Sequence, residues 1–244
     1  MSKRHAFLLM SGGFDSTALA CYYLIHDYIV HPVKILYDSR QIKPEQKALN
    51  HIIETLNLER LIELKVPLYN PSSLSKSVSP DKVERGAYSD FKSVSTVVPG
   101  RNLVFLSMLA NVAEAWKMKH PNDEVTISSG VHSSDWVMYP DCRPKFLNAV
   151  RDAIMASTDG KVLVEFPFAN VNKSEIIGGL LETRSLTAKM IDAFFTSYSC
   201  YCGGKIHCGT CPTCIERHEA LIAGLGYDIT EYERSFTEKN EESN

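Results

Sequence analysis

Short apolar runs alternate along this chain with segments whose apolar positions recur every three to four residues. The runs at 6–10 (AFLLM), 33–37 (VKILY), 61–66 (LIELKV), 124–130 (EVTISSG) and 161–168 (KVLVEFPF) predict five strands. Between and after them, helical spacing marks 15–25, 43–57, 102–118, 143–157, 172–182 and 187–195. Asp15 and Ser16 are capping candidates for the first of these helices. Pro44 falls in the first turn of the second, where a missing N–H is tolerated. Strand–helix alternation of this kind predicts an α/β fold: a five-stranded parallel sheet, helices on both faces, ligands at the carboxyl ends of the strands. A polar stretch from Pro67 to Val98 interrupts the rhythm, and a loop of that length inside a compact domain is either functional or mobile. The charged tail TEKNEESN predicts fraying.

Composition narrows the classes. At 244 residues, 44% hydrophobic and 23% charged, the chain suits one soluble α/β domain with a small appendage. The net charge of -3 asks for no nucleic-acid partner in bulk. No apolar run approaches the roughly 20 residues that span a bilayer. The apolar piece Ala6–Met10 behind Lys3 and Arg4 is too short for a secretory signal, so a cytoplasmic location is expected. Seven cysteines then read as metal ligands or reactive thiols before disulfides.

Ser11, Gly12 and Gly13 fall between the first strand and the first helix. Glycines there let backbone N–H groups approach an anion at a helix N-terminus, although a plain strand-to-helix turn uses the same residues. Neither the Walker lysine loop nor the dinucleotide glycine fingerprint is present. What stands here, S-G-G-x-D-S, resembles the PP-loop of the ATP pyrophosphatases, which bind the β,γ-pyrophosphate and cut ATP between the α and β phosphates.

Near the C-terminus, Cys208, Cys211 and Cys214 form C-x-x-C-x-x-C, with Cys200 and Cys202 just upstream. Four thiolates close a tetrahedral Zn²⁺ site with no open position, which favours a structural role. Cys200, Cys208, Cys211 and Cys214 are the expected four, with Cys202 in reserve and His207 a rival ligand. A redox pair is disfavoured because no thioredoxin-like βαβ unit precedes the motif. Cys21 suits an apolar helix face.

With SGGFDST, VPGRNLVFLSMLA, YPDCRPKFLNAV, NKSEI and SCYCGGKIHCGTCPTCIERHEAL in this order, nearly the whole chain resembles the 7-cyano-7-deazaguanine synthase (QueC) family. The resemblance implies a Rossmann-like adenine nucleotide alpha hydrolase fold: a PP-loop domain over 1–185, a C-terminal helical zinc-binding region over 186–228, and a flexible tail over 229–244. It implies an ATP-dependent ligase that converts 7-carboxy-7-deazaguanine and ammonia to the nitrile through an acyl-adenylate and an amide. Ser11, Gly12, Gly13, Ser16, Thr17 and Arg101 would hold ATP, and Asp15 would hold Mg²⁺ directly or through water. Asp15, Arg101 and Lys173 form the expected catalytic set, while a solvated first-turn lysine is the plainer account of Lys173. Asn102 caps the next helix or joins the site. Trp136, Tyr139, Asp141 and Arg143 would bind the deazapurine acid, Asp141 accepting from the guanine-like edge unless it belongs to a simple capped turn. A homodimer is compatible with the family.

Two stretches depart from the family's usual pattern. YDSRQ puts Asp38 and Ser39 where Gly and Gln are usual, and Trp136, Val137 and Met138 replace Phe, Ser and Gly. The second departure leaves open a QueC-like enzyme of an anti-phage system, which would join the acid to a protein amine. A PP-loop tRNA-modifying enzyme or a nucleic-acid-binding zinc protein is more remote, because no basic domain is to spare.

Overall fold

A computed structural model describes residues 2–183 and 185–236. Five parallel strands, β1 (Arg4–Leu9), β2 (Ile29–Leu36), β3 (Ile62–Lys65), β4 (Glu124–Ser128) and β5 (Leu163–Glu165), lie in the order β3-β2-β1-β4-β5. Strand side chains alternate between faces. Ala6 and Leu8 of β1 therefore point into one core, and Phe7 between them points into the other. Helices α1 (Phe14–Ile25) and α2 (Ile42–Leu56) cover the first face together with α5 (Lys173–Glu182), α6 (Ala188–Thr196) and α7 (Pro212–Leu225). Helices α3 (Arg101–Lys119) and α4 (Pro144–Ser157) cover the second. No helix among the described residues is long and apolar enough to cross a membrane.

The expected elements appear, with edges moved for identifiable reasons. The fifth strand is three residues long, not eight. Pro167 cannot donate to a ladder, and the Ala169 N–H turns back onto the Phe166 carbonyl. That turn sends Phe166 and Phe168 into opposite cores. The 67–98 stretch is a packed strap. Ser72, Ser73, Leu74 and Ser75 are buried, and Arg40 holds the strap through its N–H to the Leu74 carbonyl and its guanidinium to the Ser75 and Val78 carbonyls. The Asp38 carboxylate accepts from the Ser75 hydroxyl and the Lys76 N–H. The unusual YDSRQ segment is thus the anchor of this strap.

The division at residue 185 marks a change of chemistry and not a second core, because Met190, Ala193, Phe194, Ala220 and Leu221 share the core of α1 and β1. The tail expected from 229 needs correcting over its first eight residues, which are docked. Thr230 Oγ1 accepts from Nε of the fully buried Arg217 at 3.1 Å, the Tyr232 hydroxyl donates to Asp228, and the Glu233 N–H donates to the His207 carbonyl at 2.8 Å. Thr230 supplies the acceptor for Arg217 Nε, while Ser197 Oγ and the Phe194 and Phe195 carbonyls accept from Nη1 and Nη2, so every nitrogen of the buried guanidinium is paired. Residues 237–244 of that tail lie outside the described residues.

Candidate active site and metal centre

The chain leaves β1 in one direction and β4 in the other, so a crevice opens where the strand order reverses. A cleft of about 250 Å³ occupies that place, lined from β1 and α1 by Ser11, Gly13, Asp15 and Ser16. Gly12 turns at φ +95, and a side chain there would collide with the Glu45 carbonyl oxygen of α2. Only glycine lets the loop pass this close. The Gly13 N–H donates to Ser11 Oγ at 3.0 Å. Ser16 and Thr17 donate their hydroxyls to the Gly13 carbonyl, at 3.0 and 2.9 Å. Asp15 and Ser16 do not cap α1: Gly13 is the cap residue, with no side-chain cap bond. Beneath the loop, buried Lys34 donates to the Ser11 carbonyl at 2.9 Å and pairs with Glu45 at 3.6 Å.

Lys173 reaches the same cleft from the other side. Asn172 and Glu175 form a reciprocal capping box, which fixes Lys173 as the first residue of α5. Its ammonium lies 3.4 Å from Asp15 Oδ1 and 3.0 Å from Glu216 Oε2, and the residue is 5% exposed. A solvated first-turn lysine is therefore excluded. Burial opposes the charge of both partners. Even so, the Lys173 ammonium and His132 hold the Asp15 carboxyl well below the usual range, while Asp15 and Glu216 hold Lys173 well above its own. Asp15 Oδ1 is buried, 3.4 Å from both Lys173 Nζ and His132 Nε2, and makes no hydrogen bond.

Arg101 is the first residue of α3, and it lines the cleft with Nη1 3.4 Å from the Tyr37 hydroxyl. Asn102 lies inside α3 and does not cap it; its amide donates to the Asp141 carbonyl at 3.0 Å and to Cys142 Sγ at 3.3 Å. Of the four residues expected to bind the acid, Tyr139 lines the cleft, and Trp136, Asp141 and Arg143 do not. Asp141 Oδ2 accepts from the Asn102 backbone N–H at 3.0 Å, so this carboxylate satisfies a first-turn donor of α3. Arg143 donates to the Trp136 carbonyl at 2.8 Å.

Beside the expected Tyr139, the fold adds cleft residues that the sequence patterns did not single out. Tyr88 from the strap, Tyr139 and Tyr201 bring their hydroxyls within 3.2 to 3.4 Å of one another. Burial pushes all three phenols up, against the hydrogen bonds that Tyr139 receives from its neighbours, so they stay protonated. Asp135 and Glu216 complete the acidic side of the cleft. Tyr201 could have been suspected from its place between Cys200 and Cys202, and Asp135 from its place after β4. Nothing in the polar strap marked Tyr88.

The four expected cysteines come together: the sulfurs of Cys200, Cys208, Cys211 and Cys214 lie within 4.8 Å of one another, all buried. Cys211 and Cys214 are 3.5 Å apart, and Cys208 and Cys214 4.0 Å. A tetrahedron with metal–sulfur bonds of about 2.3 Å needs sulfurs about 3.8 Å apart, so the set fits a soft divalent metal. The Cys208 N–H points at Cys200 Sγ, and the Thr210 and Cys211 N–H groups point at Cys208 Sγ. Hydrogen bonds from the neighbouring thiols hold the Cys208 and Cys211 thiols below their usual range. Cys202 stands outside the set, 3.6 Å from Cys208 and accepting from Arg85. His207 is occupied elsewhere, its Nε2 accepting from the Ser199 N–H at 3.1 Å.

A parallel sheet that opens its switch point onto a glycine loop, and meets there a lysine from a later helix, is the architecture of a doubly wound α/β protein with its ligand crevice at the switch point. Within that class, the family model described as queuosine biosynthesis protein QueC matches residues 5–224, and the chain belongs to this family. A relative from Desulfotalea psychrophila is 34% identical over 231 residues, covering 93% of this chain and 98% of its own. One from Porphyromonas gingivalis is 31% identical over 236 residues, covering 95% and 98%. One from Rhizobium etli is 32% identical over 231 residues, covering 93% and 91%. All three are named 7-cyano-7-deazaguanine synthase.

Proposed function

We propose that this protein is an ATP-dependent ligase that activates 7-carboxy-7-deazaguanine as its acyl-adenylate and converts it with ammonia, through the amide, to 7-cyano-7-deazaguanine. The observation that carries the reading is the pairing of buried Lys173 with Asp15 beside the Ser11–Gly13 loop in a chain of the QueC family. A carboxylate resists attack by ammonia until one oxygen becomes part of a leaving group, and AMP is one. The loop N–H groups and the α1 N-terminus would take the β,γ-pyrophosphate. Lys173 and Arg101 would meet the negative charge that grows on the α-phosphate and the leaving oxygen, Arg101 through its planar fork. Ser16 and Thr17 support the loop carbonyl and so present the loop. The orphaned Asp15 oxygen suits Mg²⁺, which when bound would neutralise phosphate charge. Cys200, Cys208, Cys211 and Cys214 would hold structural Zn²⁺. Tyr139 with Tyr88 and Tyr201 would face the acid in place of Trp136, Asp141 and Arg143.

Mass analysis after incubation with ATP, Mg²⁺, the acid and ammonium tests this. AMP, pyrophosphate and the nitrile are expected, with turnover dependent on the acid. Release of ADP and phosphate, or turnover indifferent to the acid, overturns the reading. An amide that stops short of the nitrile and adds its mass to a protein would instead identify the protein-amine reaction.

A further inference from the structure

The turn after β4 carries two polar groups with no task in the adenylation step. Asp135 lines the cleft with 23% of its side chain exposed, and among the described residues the polar neighbour of its carboxylate is His132, 3.6 Å from Oδ2 to Nε2. The same His132 nitrogen lies 3.4 Å from Asp15 Oδ1, so one imidazole bridges the activation end of the cleft and Asp135. His132 is 1% exposed, and its Nδ1 is buried without a hydrogen-bond partner. Backbone bonds fix the turn: the Ser133 N–H donates to the Val171 carbonyl at 2.9 Å, Asp135 to His132 at 3.2 Å, and Tyr139 to Asp135 at 2.9 Å.

Amide formation from an acyl-adenylate releases a proton. The amine lone pair forms the C–N bond, the C–O bond to the phosphate breaks with its electrons leaving on AMP, and one N–H proton must go to an acceptor. The other polar groups of the cleft are poor acceptors. Asp15 is paired with Lys173 at 3.4 Å, and Glu216 is bonded to Lys173 at 3.0 Å, so both carboxylates are already engaged by a cation. Glu45 is paired with Lys34, and the three tyrosines keep their protons. Resting on the adenylation reading, we propose that Asp135 is the catalytic residue that takes the proton from the attacking amine, with His132 the positioning residue that holds its carboxylate toward the activated carbon. The proton passes from Asp135 to solvent at the open side of the cleft. The charged groups facing Asp135 are His132 on its own turn, Asp15 from α1, Lys173 from α5 and Glu216 from α7. Burial raises its affinity for a proton, Asp15 and Glu216 add to this, and His132 and Lys173 oppose it; the balance is upward.

The test separates the two half-reactions in the full-length, metal-loaded protein. Acid-dependent exchange of pyrophosphate into ATP reports adenylation, and amide formation from ammonia reports the second step. Hydroxylamine is the control nucleophile, because it is unprotonated at neutral pH and its adduct sheds a proton readily to water. Asp135→Asn is expected to slow amide formation about a hundredfold, the lower end for loss of a general base. That loss should exceed its effect on exchange at least about tenfold, and hydroxylamine should recover most of it. Asp135→Glu, which keeps a carboxylate, should stay closer to the parent, and His132→Gln should slow the ammonia reaction more than the hydroxylamine one. Equal losses in exchange and amide formation, or equal losses with both nucleophiles, overturn the proposal. If the unmodified protein shows no acid-dependent exchange, the adenylation reading itself falls and takes this inference with it.

Discussion

The backbone N–H of Tyr198 donates to the carbonyl oxygen of Gly12 at 2.8 Å. The two residues belong to opposite ends of the chain, one in the glycine loop and the other two positions before Cys200. The Tyr198 hydroxyl in turn donates to the Gly204 carbonyl at 3.0 Å, so this tyrosine clasps the cysteine segment while its backbone holds the loop. Four thiolates around a metal would fix that segment, and the segment fixes the Gly12 peptide through Tyr198, which also lines the cleft.

Under the proposed function, loss of a metal from the four cysteines should therefore reach the ATP site through this backbone bond. Cys211→Ser, or chelation, is expected to lower the melting temperature by several degrees, about 2–4 °C for each kcal/mol lost in a protein of this size. ATP affinity should fall with it by about tenfold, 1.4 kcal/mol. Melting curves and calorimetric titration of ATP, with and without chelator, check this. A lower melting temperature with undiminished ATP affinity would uncouple the two.

Gly12→Ala should damage both stability and activity. The added methyl meets the Glu45 carbonyl and lies 2.9 Å from the Leu49 nitrogen, at a φ of +95. Left-handed strain and the clash with α2 act together, and a loss of about 2 kcal/mol or more in urea unfolding is expected. An unfolding midpoint equal to the parent's would show that α2 yields without strain.

Asp141→Ala should behave as the loss of a helix cap. The carboxylate bonds the Asn102 N–H from across the fold, and removal of such a cap costs about 1 kcal/mol. Affinities for ATP and for the deazapurine acid should fall by similar small factors, read by titration of each. A selective loss of the acid would return Asp141 to the role of reading the base.

Acid should loosen the end of the sheet away from the cleft. His31 is buried, stacked on Phe7, and hydrogen-bonded to His5 at 2.8 Å. Burial, aided by the charge of His5, lowers its pKa from 6.5 to about 4. Its folded-state pKa lies below its unfolded one, so its contribution is complete above pH 6.5 and declines as pH falls toward 4. The shift corresponds to at most about 3 kcal/mol. His31→Asn should flatten the fall in unfolding free energy across that window, and an unchanged slope in denaturant titrations at several pH values would remove His31 from the account.

Much of this protein is determined by its local sequence. Period-two and period-three-to-four patterns set the sheet and helix inventory, because each element must bury one face. The S-G-G-x-D-S and C-x-x-C-x-x-C spacings set the loop and three of the four cysteines of the cluster that could hold a metal, because groups that act together within one turn must be close in sequence. What tertiary structure alone decided is which polar side chains share the cleft. Asp141 and Asp135 both follow β4, and nothing in their spacing says that one reaches the first turn of α3 while the other faces the cleft. That choice depends on where α3 begins, after a strap anchored by Asp38 and Arg40. Tyr88, His132 and Glu216 arrive from three separate segments, brought together by burial of the two cores. A side chain's partner across the fold is set by how helices pack on a sheet, and no local pattern carries that information.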